Sequence, residues 1–142
     1  MSVAKQLTGM RGVYLVAAEL SRLGFIASPT SRSAIGADIL VTDQSCMNTY
    51  SVQVKTNAKT FSFWLVGEKA KTAISPSHIY VLVNLRSNKA GETIDFYIVP
   101  SKIVADKTVH SRAATGQKSE WHQFNLADAN EYKDNWAAFG AA

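Results

Sequence analysis

The feature that most restricts how this chain can fold is the continuous run Ile79-Tyr80-Val81-Leu82-Val83-Asn84-Leu85, apolar but for Asn84. It has the length of a strand. Strand side chains alternate between two faces, so a run that is largely apolar on both predicts a strand covered on both sides. Covering both faces of a sheet takes layers above and below it, which points to an α/β architecture. The 142 residues are expected to form one domain, large enough to bury a core without disulfides. Hydrophobic residues at 46% and charged residues at 18% exclude a disordered chain.

The rest of the chain supplies those layers. Residues 6–23 (QLTGMRGVYLVAAELSRL) are rich in good helix formers, and Gly24 is placed to end the helix. Apolar side chains surround most of it, so it is expected to be largely buried. Phe25–Ser28 reads as a short strand, followed by a polar loop marked by Pro29 and Gly36. ADILVT and YSVQVKT, joined by the polar DQSCMN, predict a β-hairpin, and FSFWLVG predicts a third strand. GEKAKTAISPSH starts as a helix and must break before Pro76. After the turn SNKAGE, TIDFYIVP returns as a strand, and SKIVADK predicts a short helix with Ser101 as its N-cap. Residues 108–120 are polar and read as an exposed loop. ADANEYKDNWAAF has helical spacing, with Tyr132, Trp136 and Phe139 close to one face. The expected class is α/β, with a mixed central sheet flanked by helices.

Chemistry concentrates in the hairpin. In YSVQVKT, Val52 and Val54 share one face while Gln53 and Lys55 share the other, so an amide and a cation point at one spot. Asp38 precedes the facing strand at a spacing that lets the strand ends lie side by side. An anion, a carbonyl and a cation would then converge, which is what phosphodiester hydrolysis requires. The scissile phosphate repels nucleophiles, so a divalent ion screens its charge and acidifies a bound water. Mg²⁺ takes oxygen ligands and keeps several waters, so one carboxylate and one carbonyl can hold it. A nearby lysine can stabilise developing negative charge.

These residues resemble the PD-(D/E)XK nuclease superfamily. Asp38 in GADILVT resembles its motif aspartate, and Gln53-Val54-Lys55 resembles its (D/E)XK tripeptide. The helix GVYLVAAELSRLGF resembles its first core helix, where Glu19 matches a metal-supporting glutamate. FSFWLVG, HIYVLVNL and DFYIVPSKIVA look like a small bacterial branch with a D…QxK motif, over roughly residues 6–105. The resemblance implies a restriction-endonuclease-like αβββαβ core. It also implies an endonuclease that hydrolyses DNA with Mg²⁺ (or Mn²⁺), held by Asp38, Gln53 and Glu19 with Lys55 at the phosphate. Two positions depart from the pattern. Ala37 replaces the name-giving proline, and Gln53 replaces an acid, removing one negative charge and implying weaker metal binding.

A net charge of +4 fits a polyanionic partner, with Arg11, Arg32, Lys59 and Lys71 as candidate phosphate contacts. Each of the four also has an ordinary reading as solvating charge, and Glu19 as a surface partner of Arg22 at i,i+3 spacing. Trp64 and Trp136 lie in apolar surroundings and are read as core rather than base-stacking platforms; His78 and His122 are read as structural. The lone Cys46 has no nearby histidine to activate it. The N-terminal MSVAKQLTGM lacks the apolar centre of a signal peptide, and no run is long enough for a membrane span, so the cytoplasm is the expected location. Cutting both strands of a duplex or a branched DNA is most simply done by a homodimer. Two other readings stay open: a non-catalytic nucleic-acid-binding or assembly module with the same fold, and an interaction protein with no nucleic-acid role.

Overall fold

The computed structural model describes residues 2–31, 36–112 and 120–142. Helix α1 (Val3–Arg22) begins three residues earlier than its periodicity suggests, because the Ser2 hydroxyl caps it by accepting from the Lys5 amide at 3.2 Å. It ends at Gly24, whose φ of 95° no other residue type adopts cheaply. Gly12, Val16 and Leu20 form its buried stripe, one turn apart. The expectation of a largely buried helix is corrected here: Val3, Leu7 and Tyr14 stand exposed on its outer side.

Strands β1 (Ile26–Pro29), β2 (Ile39–Thr42), β3 (Thr49–Asn57), β5 (His78–Asn88) and β6 (Gly91–Pro100) form one sheet in the order β1-β2-β3-β5-β6. β3 and β5 are parallel and the other pairs antiparallel, so the sheet is mixed, as the sequence implies. β5 is covered on both sides. Val81 and Val83 join Val16, Leu20, Ile39, Val52, Val54 and Ile98 in the core under α1. Tyr80 and Leu82 join Trp64, Tyr97, Val99, Val104 and Phe124 in a second core on the opposite face.

Four expectations are corrected. FSFWLVG does give a strand, β4 (Phe63–Leu65), but outside the main sheet. It pairs with β8 (Glu120–Asn125), which pairs with β7 (Val109–Arg112), so of the residues 108–120 expected to form a loop, 109–112 and 120 are strand, while 113–119 lie outside the described residues. This small sheet and helix α2 (Ser101–Lys107) together cover the second face. The crossover from β3 to parallel β5 carries β4 and a 3-10 turn, Glu68–Lys71, the turn standing where a helix was expected. Ser101 is the first helical residue rather than the cap: Pro100 takes that place, and the Ser101 hydroxyl donates to the Ser75 carbonyl at 2.8 Å and accepts from the Ser75 amide.

The C-terminal helix is likewise broken into α3 (Leu126–Ala129) and the 3-10 turns Asn130–Tyr132 and Trp136–Phe139. Asp134 adopts φ 54°, outside the helical region. The segment wraps around the outer edge of β6. The Asp134 amide donates to the Phe96 carbonyl at 2.9 Å and the Asn135 side chain to Ile98, which occupies an edge that would otherwise recruit strands. Tyr132 therefore reaches the second core while Trp136 and Phe139 reach the first, and the three do not share a face.

Candidate active site

β2 and β3 pair up to Ile39 opposite Val52 and then part. Asp38 stands at the fork. Its amide donates to the Val52 carbonyl at 2.8 Å, and its Oδ2 accepts from the Val54 amide at 2.8 Å and from Gln53 Nε2 at 3.0 Å. The carboxylate thus stands in for the backbone acceptor that β2 no longer offers. Strand alternation explains the rest: Val52 and Val54 fill the core under α1, and Gln53 and Lys55 point the other way. Both line a cleft of about 840 Å³ with Ser51, Lys69, His78 and Tyr80. Lys55 has no ion-pair or hydrogen-bond partner among the described residues. Asp38, Gln53 and Lys55 are therefore brought to one end of the β2–β3 pair, with Asp38 and Gln53 in direct contact.

Glu19 is placed elsewhere. Its carboxylate accepts from Arg22 Nε at 2.9 Å, an i,i+3 contact worth only ~0.2–0.5 kcal/mol. The α1 residues beside Asp38 are the apolar Met10, Val13 and Tyr14. Of the candidate phosphate contacts, Arg11 forms a two-pronged pair with Glu92 at the start of β6. Lys71 donates to the Ala105 carbonyl at 3.1 Å. Lys59 is exposed in the β3–β4 connection. Arg32 lies outside the described residues.

Ser51 and Lys69, which the sequence reading passed over, and His78, which it read as structural, also face the cleft. Ser51 lies two before Gln53 on the same face of β3, and its register partner on β5 is His78. Their side chains meet at 2.7 Å, Ser51 Oγ to His78 Nδ1. Burial pushes the His78 imidazole below its ordinary value against the opposing effect of Ser51, so it is neutral at pH 7. Lys69, on the 3-10 turn, adds a second cation. Alternation on β3 was enough to find Ser51; only the parallel register with β5 reveals His78.

Whether this donor set suits a divalent ion can be judged from its chemistry. Among the described residues, no three acidic, histidine or cysteine side chains gather at one point. Asp38 offers one carboxylate, and Gln53 offers a carbonyl only if its amide turns over, since Nε2 now faces Asp38. Such a pair fits a weakly held, largely hydrated Mg²⁺ and not a metal caged by protein ligands.

With the site described, the mixed five-stranded sheet and its flanking helices define the restriction-endonuclease-like fold. Among solved structures, the chain is similar to Hjc, a Holliday junction resolvase from the archaeal hyperthermophile Archaeoglobus fulgidus. The TM-score is 0.53 and the sequence identity 12%, over 87% of this chain and 88% of that one. At that identity the likeness speaks for the fold. No protein-family model matches the chain, and no curated protein does.

Proposed function

We propose that the protein is a metal-dependent endonuclease acting on DNA, with Asp38, Gln53 and Lys55 as its catalytic residues. The observation that carries this reading is the contact between Asp38 and Gln53, together with the open cleft that Gln53 and Lys55 line side by side. Asp38 and the Gln53 carbonyl would hold Mg²⁺ or Mn²⁺. The ion would supply charge screening and a more acidic water. Lys55 sits where it can hold a phosphate oxygen and stabilise charge that grows as the bond to phosphorus forms. Lys69 adds a second cation to the rim, beside Glu68, and Lys59 and Lys71, on neighbouring segments, would contact flanking phosphates. The likeness to a Holliday junction resolvase favours duplex or branched DNA, handled by a homodimer. No described helix is long and apolar enough to cross a membrane.

A second reading has its own support. Glu19 is engaged by Arg22, and the one carboxylate at the fork is satisfied within the protein. A module that binds DNA without cutting it would look the same.

One experiment separates the two. The parent, Asp38→Ala and Lys55→Ala are assayed on supercoiled plasmid, a four-way junction and single-stranded DNA, with and without Mg²⁺ or Mn²⁺. Lys55→Ala is expected to lose about 10²–10³-fold in cleavage, the usual loss for a positioned transition-state donor, at an unchanged melting temperature. Raising the metal concentration should partly rescue Asp38→Ala and leave Lys55→Ala inactive. Binding by the parent without cleavage of any substrate supports the non-catalytic module. Cleavage by Lys55→Ala at the parent rate overturns the site.

A further inference from the structure

Lys55 lines two clefts. Besides the polar one, it borders a second of about 610 Å³, between the start of α1 and the β3–β4 connection. That volume falls within the roughly 300–1,000 Å³ usual for small-ligand pockets. Its walls differ in kind from those of the first. Phe61, Phe63 and Leu65 line one side and Lys5 the other, with no acidic residue among the described residues that border it. Phe61 is 46% exposed, so its ring is open to a partner entering this cleft.

The ring is not on a loose loop. Asn84, fully buried on β5, donates to the Phe61 carbonyl at 3.3 Å and accepts from Asn57 at 3.0 Å; Asn57 in turn donates to the Phe63 carbonyl at 2.9 Å. Two amides, the buried Asn84 and the half-buried Asn57, thus fix the backbone that presents the aromatic wall. Fixed exposed aromatics beside cations, on a groove that continues from a phosphate site, are the features that hold unpaired nucleotides: bases stack on rings while lysines follow the backbone.

We propose that this cleft receives an unstacked base of the DNA strand whose phosphate lies at Lys55, so that the preferred substrate carries unpaired nucleotides at the cut. The proposal rests on the nuclease reading above and names its substrate class. Base-paired, stacked nucleotides would not enter: the aromatic wall needs a free base face, which a regular duplex hides. A single strand, a flap or the open centre of a junction offers one.

The test is metal-free binding by fluorescence anisotropy, with parent, Phe61→Ala and Lys55→Ala, on a short single strand, a flapped duplex and a blunt duplex. The parent is expected to favour the single strand and the flap. Phe61→Ala should weaken those two by about ten-fold more than the blunt duplex, the effect of losing one stacked base. Because Phe61 is exposed, its removal should leave the melting temperature in place. Equal weakening of all three substrates, or none, overturns the proposal; if Lys55→Ala still weakens binding, the nuclease reading survives it. A parent that binds none of the three DNAs overturns both. If Phe61→Ala changes the sedimentation of DNA-free protein, the cleft is covered by a second copy, and the proposal fails.

Discussion

At the scale of single residues, Asp38 has two tasks that pull in different directions. It completes the hydrogen bonding of β3 where β2 departs, and it is the carboxylate proposed for the metal. Gln53 mediates between them. As an amide it can donate to Asp38 without metal and turn its carbonyl towards an ion when one is bound. Glutamate in its place could only repel Asp38 until a cation arrived. Gln53→Glu is therefore expected to lower metal-free stability by about 1–3 kcal/mol, the usual cost of breaking a hydrogen bond to a charged group. Mg²⁺ should recover that loss more fully than it stabilises the parent. Thermal melts of both proteins, with and without Mg²⁺, check this; a variant that melts like the parent in both conditions would detach Gln53 from metal binding.

At the scale of elements, the placing of α1 on β3 decides how rigidly the site is held. A Cβ built on Gly12 would lie 1.7 Å from Thr56 Oγ1 and 2.9 Å from Thr56 Cβ, with Thr56 adjacent to Lys55. Gly12→Ala must push the helix away, and overpacking of this kind costs roughly 1–3 kcal/mol. Adding Thr56→Ala should restore part of the loss, because the hydroxyl goes while the Cβ remains. Denaturant unfolding of the two variants measures both steps. The sequence was informative here to different depths. The hairpin, the faces of Gln53 and Lys55, and β5 covered on both sides all follow from alternation alone, a local property. Where β4 pairs, and that the segment after Lys133 turns around β6, depend on partners far along the chain, which no local pattern encodes. Glu19 shows the limit at the site: its place on the helix suggested a ligand, but the turn of α1 against β3 puts Met10, Val13 and Tyr14 beside Asp38 instead.

At the scale of the whole molecule, two buried carboxylates, one linking distant pieces of chain and one tying a turn, shape the response to acid. Burial alone would raise Asp95, but its pairs with Arg86 on β5 and Lys133 in the C-terminal segment outweigh it and hold its carboxyl below the ordinary range. Asp43 is held low chiefly by Asn48, with the Met47 and Asn48 amides, and so ties the turn between β2 and β3. Both groups bind protons more weakly folded than unfolded. Their stabilisation is thus complete above the unfolded value of about 4 and is lost as the pH falls through their lower folded values. Denaturation midpoints measured from pH 7 down to pH 2 should begin to decline below about pH 6.5, where His78 protonates more readily unfolded than folded, and fall more steeply below about pH 4. Asp95→Asn should begin lower and fall less.

The way the C-terminal segment returns also bears on how the molecule is made. Phe139 lies against Phe25 and Tyr50, at ring-centroid distances of 5.8 and 5.3 Å, so residues from the start, the hairpin and the far end of the sequence share one patch of core. A chain synthesised from its N-terminus cannot close that patch until residues 136–139 have emerged. Helix α1 and the β2–β3 hairpin must wait, one core face open, until residues 136–139 are available. The site at the fork of β2 and β3 is therefore written early in translation and secured late.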